Sequence, residues 1–213
     1  MSIRRMTSLL ILTLFYTVVG SAAEVNVEEI AASVSEQVSR EEGLEAWTRI
    51  YDVASHPRCA NCHVGADHVP MWSGPSYGKT RPHGMNINAG ASRIGAETLL
   101  CATCHAYRDT GVHDVPHAAP QVAAPWRLAP VEAEWFGKSS DNICAQLRDP
   151  ERNGNRSFED IAKHLNHDVI LHWAWNPGGG REPAPHSLEQ HVKDIITWGR
   201  SGMPCSFDSV EGE

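Results

Sequence analysis

The chain has no excess of basic side chains: 18 Lys and Arg stand against 26 Asp and Glu, for a formal net charge of -8. Phosphate contacts need a basic face, so this balance argues against a sequence-independent nucleic-acid partner. No apolar run beyond the N-terminus approaches the roughly 18 residues of a membrane-crossing helix, so no membrane span is expected in the mature chain. Disorder is disfavoured too, because 41% hydrophobic and 21% charged residues is ordinary globular composition. A length of 213 residues fits one domain or two small ones.

What is present begins with an export signal. Arg4 and Arg5 precede a short apolar run over Leu9 to Val19, and Ser21-Ala22-Ala23 supplies small residues where a signal peptidase cuts. Residues 1–23 are therefore expected to be removed before Glu24. No Cys directly follows that point, which argues against a lipid anchor. The compartment is expected to be the periplasm, oxidising and outside the cytoplasm. Removal takes Arg4 and Arg5 and no acidic residue, so the mature chain is still more acidic.

The six Cys carry the chemistry. Cys59-Ala60-Asn61-Cys62-His63 and Cys101-Ala102-Thr103-Cys104-His105 are two C-x-x-C-H motifs, the spacing of c-type haem attachment. About one helical turn sets both thiols along one porphyrin edge, each adds to a vinyl group, and the following His reaches the iron. Cys59, Cys62, Cys101 and Cys104 thus read as attachment residues, and His63 and His105 as proximal ligands of two covalent haem c groups. A zinc site fits less well: residues 63–100 separate the pairs, against about 15–20 in zinc ribbons, and zinc gives no reason for a His directly after each pair. Two C-x-x-C disulfides would be strained and redox-active rather than structural. Cys144 and Cys205 remain, and in an exported chain they are expected to pair with each other.

Helical spacing marks several elements. Val27, Ile30, Val34 and Val38 make one apolar stripe over 26–39. Gly43 is expected to interrupt before a second stripe through Leu44, Trp47, Ile50, Tyr51 and Ala54, which Pro57 ends near His56. Residues 64–95 are punctuated by Gly and Pro and read as loop, 96–107 as helix, and 111–130 as extended. Ser140 to Arg148 reads as a short helix. Ser157 with Asp160 and Ser187 with Gln190 are capping boxes for two more, and 173–181 reads as an aromatic anchor followed by a turn. Residues 206–213 form an acidic tail. The expected fold is mainly α and loop-rich, a cytochrome c-like dihaem unit over 24–205 wrapped around its two haems. The flanks of the two motifs differ, which argues against an internal duplication.

The sixth position on each iron decides the chemistry: a second His lowers the potential, a Met raises it, and an open site admits a ligand. His83, in Arg81-Pro82-His83-Gly84-Met85, sits on a glycine-bearing loop that can approach a haem face. His164 flanks the apolar face made by Ile161 and Leu165. His83 and His164 are the expected distal ligands, with His191 on the last helix as competitor and Met71, Met85 and Met203 as thioether alternatives. Which motif His83 serves is undetermined by spacing.

Several strings together resemble a family. His56-Pro57-Arg58-Cys59 leading to Cys62-His63, Leu128-Ala129-Pro130, Gln146-Leu147-Arg148-Asp149-Pro150 with Asn153-Gly154, Trp173-Ala174-Trp175-Asn176-Pro177-Gly178, and Gly202-Met203-Pro204-Cys205 are similar to bacterial exported c-type cytochromes of the isoquinoline oxidoreductase subunit type. That resemblance spans 56–205 and implies an electron-transfer subunit that accepts electrons from a molybdenum hydroxylase. It also places His at the positions of His83 and His164, whereas His172, His186 and Met203 depart from it. The chain carries no molybdopterin or iron–sulfur signature of its own. The expected function is electron transfer between redox proteins, with basic patches on the partners matching this acidic surface. The alternative is a dihaem enzyme, peroxidase-like or nitrogen-oxide reducing, with one open iron.

Overall fold

The computed structural model of the chain describes residues 25–73, 79–108, 115, 118–122 and 126–206. The expected signal peptide, most of the acidic tail and part of the segment 111–130 lie outside the described residues. Among the described residues the structure is mainly helical and loop-rich, and no helix is long and apolar enough to cross a membrane.

One half is helical. It is built from α1 (Val27–Ser33), α2 (Arg40–Ser55), α5 (Ser140–Arg148), α6 (Pro150–Asn153), α7 (Phe158–His167), α8 (Val169–Trp175) and α9 (Leu188–Arg200). Helix α9 is the hub, packing on α2, α7 and α1. Its Val192, Ile195, Ile196 and Trp198 meet Trp47 and Ile50 of α2 and Ile143 of α5 in one buried cluster. Burying each such aliphatic side chain contributes about 1.5–3 kcal/mol. Trp47 and Trp198 lie 5.3 Å apart, and each satisfies its indole N–H, on Ser140 Oγ at 2.8 Å and on the Pro204 carbonyl at 2.9 Å. Asp194 is only 1% exposed but accepts from Arg49 Nη2 at 2.7 Å and Gln190 Nε2 at 2.9 Å, so its charge is compensated. The Cys144–Cys205 disulfide is present, with Cα atoms 5.5 Å apart, and ties the end of the described chain to α5.

The other half is loop, carrying α3 (Pro57–Ala60), α4 (Ala102–His105) and a minimal ribbon of β1 (Met71–Trp72) and β2 (Arg81–Pro82), antiparallel with Met71 opposite Pro82. Val64, Ala89 and Leu128, with Cys62 and Met71 against them, form a small second core. Arg93 replaces the missing ladder hydrogen bonds here. Its guanidinium donates to the carbonyls of Ala129 (2.7 Å), Val64 (2.9 Å) and Gly65 (3.2 Å) and to His68 Nδ1 (3.2 Å). One buried cation thereby satisfies three loop carbonyls that have no strand partner.

Five local expectations change. The first stripe is helical only to Ser33; Val34 is extended yet still buried, because the chain turns toward α2. Gly43 does not interrupt a helix. Ser39 starts α2 with a full capping box to Glu42, and Gly43 lies in its first turn against Ser201. Only Ala102–His105 of the segment 96–107 is helical, while 169–175, with Asp168 as N-cap, is a helix rather than part of an aromatic turn. At α9 the Ser187 cap is made, but Gln190 sends its amide to Asp194 instead of closing the box.

Candidate functional site

The first motif follows directly on α2. His56 caps that helix and its Nδ1 accepts from Arg58 N at 3.2 Å, Pro57 opens α3, and the turn continues through hydrogen bonds from Cys62 N (3.1 Å) and His63 N (3.3 Å) to the Cys59 carbonyl. Both cysteines thus sit on one turn with His63 next in line. The second motif repeats this in α4, where Cys104 N (3.2 Å) and His105 N (3.0 Å) donate to the Cys101 carbonyl.

The four cysteines are free thiols. Burial, with the neighbouring Cys62, pushes Cys59 up to about 12, and burial, with nearby Cys101, pushes Cys62 up to about 11. Burial raises Cys101 as well. A dithiol redox enzyme needs a depressed thiol pKa, so this environment opposes that chemistry. Arg58 and Asn61 of the first turn and Cys101 and Cys104 of the second border one cavity, so the two motifs lie side by side. Among the described residues no three His, Cys, Asp or Glu side chains converge as they would on a bare metal ion.

Each motif histidine is held in the same way. His63 Nδ1 donates to the Ala133 carbonyl at 2.8 Å, and its ring stacks on Trp135 at 3.5 Å and 6°. Trp135 is fixed in turn by its indole N–H to Gln146 Oε1 of α5 at 2.8 Å. His105 Nδ1 donates to the Pro120 carbonyl at 3.0 Å, and its ring stacks on Trp126 at 4.5 Å and 11°. A carbonyl can only accept, so the proton sits on Nδ1 and the Nε2 lone pair is left for a metal. Desolvation pushes both rings down to about 4, which keeps them neutral and able to ligate at neutral pH. A ring turned by a second-shell carbonyl and fixed by an aromatic face is preorganised as a ligand.

His83 faces His105. Its backbone N–H binds the Pro70 carbonyl at 2.9 Å, at the end of the β1–β2 ribbon, and its Nδ1 donates to the Gly84 carbonyl at 3.0 Å, again leaving Nε2 with the lone pair. The two ring centres are 6.2 Å apart at 64°. Across a shared metal, two bonds of about 2 Å and about 1.1 Å from each nitrogen to its ring centre span about 6 Å. His83, Met85, Cys101, Cys104 and His105 all border a cavity of about 350 Å³, otherwise walled mainly by apolar side chains including Trp72, Leu99 and Trp126. That donor set and those walls fit a covalently attached haem, and the volume is within the range of ligand pockets.

His164, on α7, is close enough to His63 to add to the lowering of that ring's pKa. It is solvent-exposed rather than turned fully inward. His191 lies elsewhere: it is buried against Trp175, 5.7 Å between ring centres, in the helical half. Met203 packs on the same helical core, while Met71 and Met85 border the cavity. The sequence reading missed Trp126, Trp135 and the carbonyls of Ala133 and Pro120. The tryptophans are visible as residues, but a backbone carbonyl carries no residue-type signal.

Comparison of the chain with protein-family models, curated proteins and solved structures finds no match.

Proposed function

We propose that this chain is an exported dihaem c-type cytochrome that carries electrons between redox proteins. The observation that carries the reading is the matched handling of His63 and His105: each follows a C-x-x-C turn, donates Nδ1 to a backbone carbonyl, stacks on a Trp, and has a second His near it. Haem supplies one-electron iron chemistry at each position. The chain's own residues do the rest. Cys59 with Cys62 and Cys101 with Cys104 would supply the thioether sulfurs, and the Nε2 atoms of His63 and His105 would each supply a nitrogen to an iron. His83 would supply a further nitrogen at the second motif and His164 one at the first. Trp135 and Trp126 stop the motif His rings from rotating, and the apolar wall keeps water out. With two side-chain ligands at each iron little would rearrange on electron arrival, which favours a carrier over an enzyme with an open iron. A molybdenum hydroxylase is the proposed electron donor, on the strength of the sequence resemblance alone.

The test is mass spectrometry of the exported, mature protein together with its optical spectrum. Two haem additions that survive acid-acetone extraction and two low-spin irons are expected; the bare polypeptide mass would overturn the reading. His83→Ala and His164→Ala should each turn one haem high-spin and shift one potential without releasing it. A wild-type high-spin fraction that binds cyanide would instead favour the enzyme.

A further inference from the structure

The two motifs lie at different depths. Ala60, Asn61 and Val64, in and beside the first, are buried. The segment 128–136 folds over that turn: Ala129 N donates to the Cys62 carbonyl at 3.3 Å, and Trp135 N and Phe136 N donate to the His63 carbonyl at 2.8 and 3.0 Å. At the second motif Leu99, Leu100, Thr103 and Cys104 are exposed. The second site is therefore the one a partner can approach, and the first lies under protein.

Charge distinguishes them independently. Arg93 is 8% exposed and is held at φ 63°, a left-handed conformation that residues with a Cβ rarely adopt. Its guanidinium donates to the carbonyls of Val64 and Gly65, one and two residues past His63, and to that of Ala129, whose own N–H binds Cys62. The fourth partner is His68 Nδ1, which accepts because a guanidinium can only donate. Among the described residues none of these partners is a carboxylate. Asp67 and Glu132 act on Arg93 through space only, and both are exposed, so solvent screens them. Carbonyl dipoles hold the cation in place and leave its unit charge, in a setting where it reaches further than at the surface. Burial dominates the shifts at Cys62 and His63, and at both of them Arg93 acts toward the lower pKa. At Cys101 and His105 the shifts come from burial, backbone hydrogen bonds and His83, and from no arginine. Arg58 borders both sites and does not tell them apart.

We infer that Arg93 makes the first haem the higher-potential one of the two, so that an electron delivered at the exposed second haem passes inward and comes to rest at the first. This rests on the dihaem reading above. A ferric haem core carries one more positive charge than a ferrous one, so a buried cation and the exclusion of solvent both favour the reduced iron, and both are found at the first motif. The transfer oxidises the second iron and reduces the first by one electron; no bond forms or breaks and no proton moves. The partner redox protein that supplies the electron docks against the second motif.

The test uses the mature holoprotein with both haem additions verified by mass, so that missing haem, which would count against the dihaem reading, is told apart from a wrong order of the two sites. Cys62→Ala and Cys104→Ala each leave one thioether and one free vinyl group, which displaces the α band of one haem and so assigns the bands. In wild-type protein reduced by one electron, the ferrous band should be that of the first haem. Arg93→Gln should lower the midpoint potential of that haem, leave the other unmoved, and move the electron of half-reduced protein toward the second. Arg93→Lys keeps the charge and loses the planar fork, so it should hold the potential while lowering the thermal midpoint; a purely structural role predicts that Lys and Gln move the potential alike. Asp67→Asn removes an acid that opposes Arg93, should raise the same potential, and serves if Arg93→Gln fails to mature. A first electron found on the second haem, Lys and Gln acting alike on the potential, or a first-haem potential unchanged in Arg93→Gln or, failing that variant, in Asp67→Asn, overturns the proposal.

Discussion

At the scale of single residues, the polar atoms that are buried decide most. Trp135 joins two systems: its ring face fixes His63 and its N–H satisfies Gln146, which is 1% exposed. Trp135→Phe keeps an aromatic face but leaves the Gln146 oxygen without its donor. Denaturant unfolding should show a loss of about 1–3 kcal/mol, the cost of an unsatisfied buried acceptor. His191 gives the second prediction. Burial pushes its pKa down to about 3, with the neighbouring His186 adding to the effect, and its Nδ1 has no partner. The unfolded chain takes a proton there near the ordinary value of about 6.5, whereas the folded chain takes none until far lower pH. The unfolded state therefore binds more protons between those two values, and stability falls as pH drops through that window. From pH 6.5 to 4 the loss from this group should be roughly 3 kcal/mol. His191→Met should flatten that part of the stability profile in urea titrations at several pH values. A profile that stays equally steep would show that His191 remains accessible to protons.

At the scale of elements, close approach overrides propensity. A Cβ on Gly43 would overlap Ser201 Oγ and fall 2.5 Å from Ser201 Cβ. Ala is normally the better helix former by about 1 kcal/mol. Gly43→Ala should nevertheless destabilise the protein by about 1–3 kcal/mol, as overpacking does, with a lower thermal midpoint as the readout. The same contrast explains which elements could be read in advance. Ser140–Arg148 was legible because Ser139, Pro150 and the spacing of Ile143 and Leu147 are local signals. Ser157 with Asp160 was legible for the same reason. Gly43 is not readable from sequence because its reason, Ser201, is far away in the chain. In the candidate site, the residue types at Cys59, His63, Cys101 and His105 carried the reading, and spacing alone could not say that His83 faces His105. That assignment needs the β1–β2 ribbon, two residue pairs whose existence no periodicity announces.

At the scale of the whole molecule, the two halves are stabilised differently. The helical half has a continuous apolar core and the Cys144–Cys205 bridge across 61 residues of sequence. Closing a loop of that length is worth about 4 kcal/mol in the chain-entropy account, so Cys144→Ser with Cys205→Ser should lower stability by a few kcal/mol while leaving the spectra of the proposed haems unchanged. Among the described residues the loop half has Val64, Ala89 and Leu128 as its buried cluster, with Arg93 holding carbonyls in place of a sheet. So small a cluster offsets little of the ordering cost of the loops, and the proposed haem, set against Trp72, Leu99 and Trp126, would add apolar contact there. Replacing Cys59, Cys62, Cys101 and Cys104 by Ala would remove the proposed covalent attachment without touching α2, α7 or α9. Amide hydrogen exchange should then remain slow in α2 and α9, whose core is independent of the motifs, and become fast across 64–73 and 84–105. Slow exchange retained throughout that loop half would mean that its protein contacts are sufficient by themselves, and that the cavity is rigid before any cofactor enters it.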